Sequence, residues 1–402
     1  MMPHDLQRAA FQSLLKRTAI NPNDVDYITV GTVIQESKTS NVAKEASLGA
    51  GMGPNIPAHT ITMACISSNQ AISTNSVMMA ANQAGLTIAG GVDFMSDVPI
   101  RYNRKVRGAM LQLNKAKSLG ARLGPLSTLL NPANLLSPEL PAVAEFSSGE
   151  TMGHSADRLC AAFQITRKEA DDYAIRSHTL ADLASKNGKL TDRMPIKVPG
   201  INKFVTEDNG VRVSTPEQMA KLKPAFVRPH GTVTAANSSF LTDGATACLL
   251  ATESRAKELG LKSKAYIRDF VFVSQDPSDQ LLLGPAYAVP RLLKKVGLTI
   301  KDIDVIEMHE AFAGQVLACQ RALDSDWFCK NYMNMSNKFG AMPLEKMNLW
   351  GGSVSLGHPF GATGVRLVTM AVNRLHDEGG RFAIVTGCAS GGLGTAMLIE
   401  SC

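Results

Sequence analysis

Apolar residues at Val365, Leu367, Val368, Met370, Ala371 and Leu375 recur at the spacing of one helix face. Gly379-Gly380 stops that helix, and the apolar run Phe382–Val385 reads as a short buried strand. The same alternation runs through the chain. Residues 5–19 read as an amphipathic helix, Val25–Val30 as a strand entering the turn Gly31-Thr32-Val33, and Ser40–Leu48 as a helix closed by Gly49. A strand over Ala58–Met63 leads to Cys65, where a long helix begins and runs to about Gln83. The buried strand Leu86–Ala89 then enters a turn at Gly90-Gly91, and Val305–Met308 is a later strand that delivers His309 at its end. Thr166 with Glu169 spells a capping box at the start of another helix. Strands alternating with helices specify an α/β fold.

Two stretches share one layout. Cys65 begins a helix after a strand, and 25 residues on a strand runs into Gly90-Gly91. His358-Pro359 begins a helix, and after a comparable distance a strand runs into Gly387 and Cys388. The pattern predicts a duplicated βαβ-rich unit, two halves packed so that both helix mouths meet in one pocket.

The totals narrow the class. At 402 residues the chain holds two or three domains; 45% apolar, 19% charged and 33 glycines fit a compact α/β enzyme. A net charge of +6 is too mild for a nucleic-acid binder. Seven cysteines without C-x-x-C or zinc-like spacing read as reduced thiols, and the chain is not expected to be a metalloenzyme. No apolar run is long enough to span a bilayer, and the first residues lack the pattern of a signal or transit peptide, so any address label is expected to lie outside this sequence.

Three side chains carry candidate chemistry. A thiol at a helix N-terminus feels the positive end of the dipole, which favours thiolate at Cys65. His358 and Cys388 stand on glycine-lined turns at the same end of a βα unit, where backbone N–H groups are free to meet negative charge. Most single cysteines are small core residues, the reading given to Cys160, Cys248, Cys319 and Cys329.

TITMACISSNQA around Cys65, GGVDFMS at 90–96, LKPAF at 222–226 with GTVTAANSSFLTDGA at 231–245, HEAFA at 309–313, GGSVSLGHPFGATG at 351–364 and CASGG at 388–392 together resemble the thiolases, in the family's order and over nearly the whole chain. The resemblance implies duplicated βαβαβαββ halves in a five-layer α-β-α-β-α arrangement. It divides the chain into an N-terminal half (1–100), a loop domain (101–231) with a basic insertion at 101–146, a return to the first half (232–263) and a C-terminal half (264–402). It also implies a 3-ketoacyl-CoA thiolase, with coenzyme A as substrate and no resident cofactor or metal. Cys65 would be the nucleophile, His358 the base and Cys388 the second acid–base. His309 stands where the family commonly has Asn and would help hold an enolate oxygen. Backbone N–H groups of Cys65 and Ser390 would hold the other oxyanion, while Ser239, Met152 and Phe312 would meet the pantetheine. Family members open with a strand bearing Arg-Thr-Pro that has no match here, so the first sheet is expected to show an open edge, through a truncated gene model or alternative start.

The histidine at 309 and the insertion resemble the branch that supplies β subunits of mitochondrial trifunctional proteins. That branch implies fatty-acid β-oxidation, a homodimer core, an α-subunit partner and a mitochondrial, matrix or inner-membrane, location. Between Val98 and Pro138 the insertion carries seven Lys and Arg and no carboxylate, interleaved with leucines; Pro125, Pro132 and Pro138, and Pro141 just beyond, are expected to break its helices. A basic amphipathic hairpin of this kind suits an anionic membrane surface or a partner through 101–138; a cover over the active site and a CoA-phosphate patch are the alternatives. Rival functions are an acetoacetyl-CoA-type condensing enzyme and a catalytically weak docking subunit. Cys388 argues against a ketosynthase, and four intact reactive residues argue against a vestigial pocket.

Overall fold

A computed structural model describes all 402 residues. Two mixed sheets face each other across a layer of helices. The first holds Tyr27–Gly31 between Ala58–Ile61 and Leu86–Asp93, all parallel, with Gly244–Ala251 added antiparallel at the edge. The second holds Val305–Met308 parallel to Phe382–Ala389, then Leu393–Ser401 and Ala265–Ser274 antiparallel.

The layers follow from alternation of side chains across each strand. Ile28, Val30, Leu86 and Ile88 point outward onto Phe11 of helix Pro3–Thr18 and Val42 and Ala46 of helix Val42–Gly49. Ala89 points inward and shares a core with Ile72 of helix Ser67–Ala80, Val365, Leu367 and Leu375 of helix Thr363–Glu378, and Val385 and Met397 of the second sheet. On the far side Ile306, Ile384 and Leu398 pack against Leu292 of helix Gly284–Val296 and Val316 of helix Ala313–Leu323. The order is helix, sheet, helix, sheet, helix. Each half is one strand short of the eight-element motif. In the second half the missing place is held by a lone parallel bridge between Ile306 and Met347. In the first, Gly244–Ala251 stays half-buried with no strand on its outer side, whereas its counterpart Leu393–Ser401 is covered by Ala265–Ser274. The expected open edge is present.

Several boundaries differ from the sequence reading. The strand entering the first glycine pair continues to Asp93, so Gly90 and Gly91 lie within it. A Cβ on Gly91 would strike the carbonyl oxygen of Gly361, so only glycine lets the halves touch here. The insertion forms helices Arg104–Lys115 and Leu119–Leu130, and Pro125 sits inside the second instead of ending it. That helix lies wholly on the surface, where water can satisfy the carbonyl that Pro125 leaves unpaired.

Candidate active site

After the strand Ala58–Ile61 the chain turns through Ala64, whose φ of 47° places a non-glycine residue in the left-handed region. The Ser67 hydroxyl staples the turn, donating to the Ala64 carbonyl at 2.6 Å and accepting from the Met63 N–H at 2.8 Å. Cys65 therefore stands in the turn two residues ahead of helix Ser67–Ala80, not on its first residue. His358 lies across the seam, after Gly357 (φ 91°) and before a single 3-10 turn that leads into helix Thr363–Glu378. Its N–H donates to Thr242 Oγ1 at 3.0 Å, and its Nδ1 lies 2.7 Å from Thr363 Oγ1.

Asp93 closes the seam. Its carboxylate accepts from the N–H groups of Ile34 at 2.8 Å and Gly361 at 2.7 Å, tying the first half's turn to the loop that carries His358. Burial pushes its carboxyl up to about 6 against those donors. In the sequence Asp93 falls inside GGVDFMS, past the strand end expected at Ala89, and no spacing gave it this role.

His309 follows the strand Val305–Met308 as expected, and its N–H continues the pairing by donating to the Thr386 carbonyl at 2.8 Å. Its Nδ1 lies 2.8 Å from Ser353 Oγ, which accepts from Arg366 Nη2 at 2.7 Å. With Arg366 only able to donate, the serine's own proton is free for Nδ1, leaving the proton of His309 on Nε2, which has no protein partner. The His309 and His358 rings stand 4.1 Å apart between centroids. Neither Nε2 has a protein partner although both histidines are buried, so both are available to a ligand. The Cys65 sulfur and one nitrogen of each imidazole lie within 4.8 Å of one another.

Cys388 is buried inside the strand Phe382–Ala389, near its end, and not in the glycine turn that follows. In that turn the Ser390 backbone bears on the Cys65 sulfur and favours its thiolate, as does the backbone of Cys65 itself. Glu145, from the end of the insertion, fixes the turn by accepting from Ser390 Oγ at 2.5 Å and from the Gly391 N–H at 3.2 Å.

The surroundings of Cys65 oppose the thiolate expected there. Burial outweighs the two backbone groups and pushes the Cys65 thiol up to about 12. Burial, then the neighbouring Cys319 and Cys65, raises Cys388 well above the usual thiol range. Burial and the Arg366 guanidinium bring His309 down to about 3; burial, His309 and Arg366 depress His358 as well. Each of these shifts favours the uncharged form of its group. Alkylation of Cys65 by iodoacetamide, followed by mass mapping, should therefore quicken about tenfold per pH unit between about pH 7 and 10. A plateau below about pH 8 would reveal a thiolate–imidazolium pair instead.

The residues assigned to pantetheine are placed less directly. Ser239 spends its hydroxyl proton on the Ala311 carbonyl at 2.9 Å, so it can only accept from a ligand amide. Met152, first residue of helix Met152–Ala162, and Phe312 border one apolar cluster in which Phe226 meets Phe312 edge-on. Cys160, Cys319 and Cys329 are core residues, Cys248 is half-buried on its strand, and all seven thiols are free.

A family model described as thiolase, N-terminal domain, matches residues 1–254, and one described as thiolase, C-terminal domain, matches residues 261–401. The chain is 62% identical over 401 residues to the trifunctional enzyme subunit beta, mitochondrial, of Mus musculus, covering 100% of this chain and 84% of that protein. It is 59% identical to a probable 3-ketoacyl-CoA thiolase of Caenorhabditis elegans, covering 100% and 89%. Among solved structures, human mitochondrial 3-ketoacyl-CoA thiolase in complex with CoA superposes with a TM-score of 0.83 at 30% identity, over 100% of this chain and 93% of that one.

Proposed function

The chain belongs to the thiolase family, and we propose that it cleaves 3-ketoacyl-CoA with CoA through an acyl-Cys65 intermediate, yielding acetyl-CoA and an acyl-CoA two carbons shorter. The observation that carries the route is the convergence of the Cys65 sulfur with the His309 and His358 imidazoles, beside the Ser390 backbone.

In this reading the Cys65 thiol passes its proton to neutral His358 as the sulfur bonds to C3 of the substrate. The C3 oxyanion meets the N–H groups of Cys65 and Ser390. The C2–C3 bond breaks, and its electron pair moves into the enolate of acetyl-CoA, whose oxygen faces His358 and the Nε2–H of His309. Cys388 protonates C2, acetyl-CoA leaves, and the Cys388 thiolate takes the proton of incoming CoA. The CoA thiolate so formed attacks the acyl-Cys65 thioester to give the shortened acyl-CoA, and His358 returns its proton to the released Cys65 sulfur. A dry site with a high thiol pKa suits this cycle, because charge then forms only once substrate is bound.

The relatives named as mitochondrial β subunits support a mitochondrial location and an α-subunit partner; a homodimer as the core is our reading from the thiolase resemblance alone. The insertion supports contact with an anionic membrane. Leu119, between Lys117 and Arg122 in the chain, and Leu136 are each 82% exposed, in a segment that carries seven Lys and Arg and no carboxylate from Val98 to Pro138. Sedimentation unaffected by anionic vesicles would remove that contact. The reaction itself is tested by thiolysis of 3-ketoacyl-CoA substrates from short to long chain, with and without a co-purified α subunit. Acetyl-CoA release rising toward long chains is expected. No CoA-dependent release at any length would overturn the reading, and net synthesis alone would favour the condensing direction.

A further inference from the structure

Cys65, His309 and His358 do more than line a reaction path. One sulfur and two imidazole nitrogens within 4.8 Å of one another form the donor set of a three-ligand zinc site with an open fourth position. We propose that this pocket binds one Zn2+ through Cys65, His309 and His358, and that occupancy reversibly shuts the enzyme off. The inference rests on the reaction assigned above to the same residues.

The geometry supports it at three points. Tetrahedral zinc holds nitrogen and sulfur donors roughly 3.3–3.7 Å apart, so closing this set takes a contraction of about an ångström, within reach of a rotamer change at Cys65. Both imidazoles are already oriented from behind, His309 by Ser353 and His358 by Thr363, as metal-bound histidines are. Their Nε2 atoms are buried without partners; Thr363 Oγ1 can accept from an Nδ1–H of His358, and at His309 metal binding moves the proton to Nδ1, where Ser353 Oγ accepts it on the lone pair not used by Arg366 Nη2. The soft sulfur with two imidazoles and no oxygen ligand selects Zn2+ or Co2+ over Mg2+ or Ca2+.

Charge balances around the set. The carboxylates of Asp93 and Glu145 bear on the Cys65 sulfur, whereas the Arg366 guanidinium bears on the imidazoles. On binding, the S–H bond of Cys65 is replaced by a Zn–S bond and the proton leaves to buffer; nothing is oxidised. Nucleophile, base and enolate donor are then all masked together. His309 is the decisive member, since an amide in its place would leave only two soft donors.

The test titrates Co2+ and then Zn2+ into the metal-free full chain carrying Cys402→Ser, which removes the exposed thiol. One Co2+ per chain is expected, with a thiolate-to-metal charge-transfer band, the strong visible bands of four-coordination, and displacement by Zn2+. Cys65→Ser should abolish the charge-transfer band, and His309→Asn should weaken binding at least about 10–100-fold, the loss seen even for outer-shell changes. Circular dichroism and melting curves establish that each variant is folded. A second readout avoids variants: Zn2+ should slow mass-mapped alkylation of Cys65 at least about tenfold, with EDTA restoring the rate. A charge-transfer band that survives Cys65→Ser, affinity unchanged in folded His309→Asn, or alkylation unaffected by Zn2+ would each overturn the site. Thiolysis through Cys65 without any metal signature removes this inference alone; a metal signature without acyl-Cys65 removes the proposed reaction alone.

Discussion

Replacing Cys65 with alanine should lower CoA-dependent cleavage of 3-ketohexadecanoyl-CoA by at least about 10⁴-fold, because the sulfur that would carry the acyl chain is gone. Cys65→Ser should fall nearly as far. Its hydroxyl is a harder nucleophile and holds its proton more tightly than the thiol, while neutral His358 is a weak base in this dry setting. The measurement is acetyl-CoA release in a single turnover, paired with the mass of the acylated peptide that contains residue 65. Acyl-CoA binding should survive, since the change removes one atom beside the reacting carbonyl. A serine enzyme with full cleavage would exclude the covalent route.

The second large effect belongs to Cys388. Cys388→Ala should lower steady-state turnover by about 10²–10⁴-fold, the range for a positioned acid–base, yet leave Cys65 itself reactive. Mass-mapped alkylation of Cys65 by iodoacetamide should run at the unsubstituted rate, whereas exchange of the acetyl-CoA methyl protons with deuterated solvent should vanish. That split separates proton delivery from a structural contribution, which would depress both. Persistence of exchange in a folded Cys388→Ala chain would assign the proton to another group, with His358 the nearest candidate.

Much of this machinery is legible in local chemistry. The Thr166 capping box starts helix Arg167–Lys186 with both reciprocal bonds in place, and the β-rich run Val305–Met308 carries His309 to the pocket. Such features depend on neighbours a few residues away. What escapes the sequence depends on distant contacts. The Gly90-Gly91 pair signals a turn by composition, but the second sheet's loop presses on Gly91 and demands a strand without side chains. The helix dipole predicts a lowered thiol pKa at Cys65, and the depth of the pocket reverses it. Asp93 and Glu145 act across separations of 268 and 245 residues, on Gly361 and Ser390 respectively, and no spacing rule reports such a pair.

Superposing the layout of one lobe on the other sets Cys65 and His358 at matching places, each just ahead of a helix in the middle layer. A symmetric assembly of two identical half-length chains would offer the same side chain from both sides of its axis: two thiols or two imidazoles. Only a fused chain can hold a soft electron-pair donor opposite a proton acceptor. The single unsymmetrical cavity is thus what covalent duplication makes available, and chemical division of labour becomes possible because the two mouths are free to mutate apart.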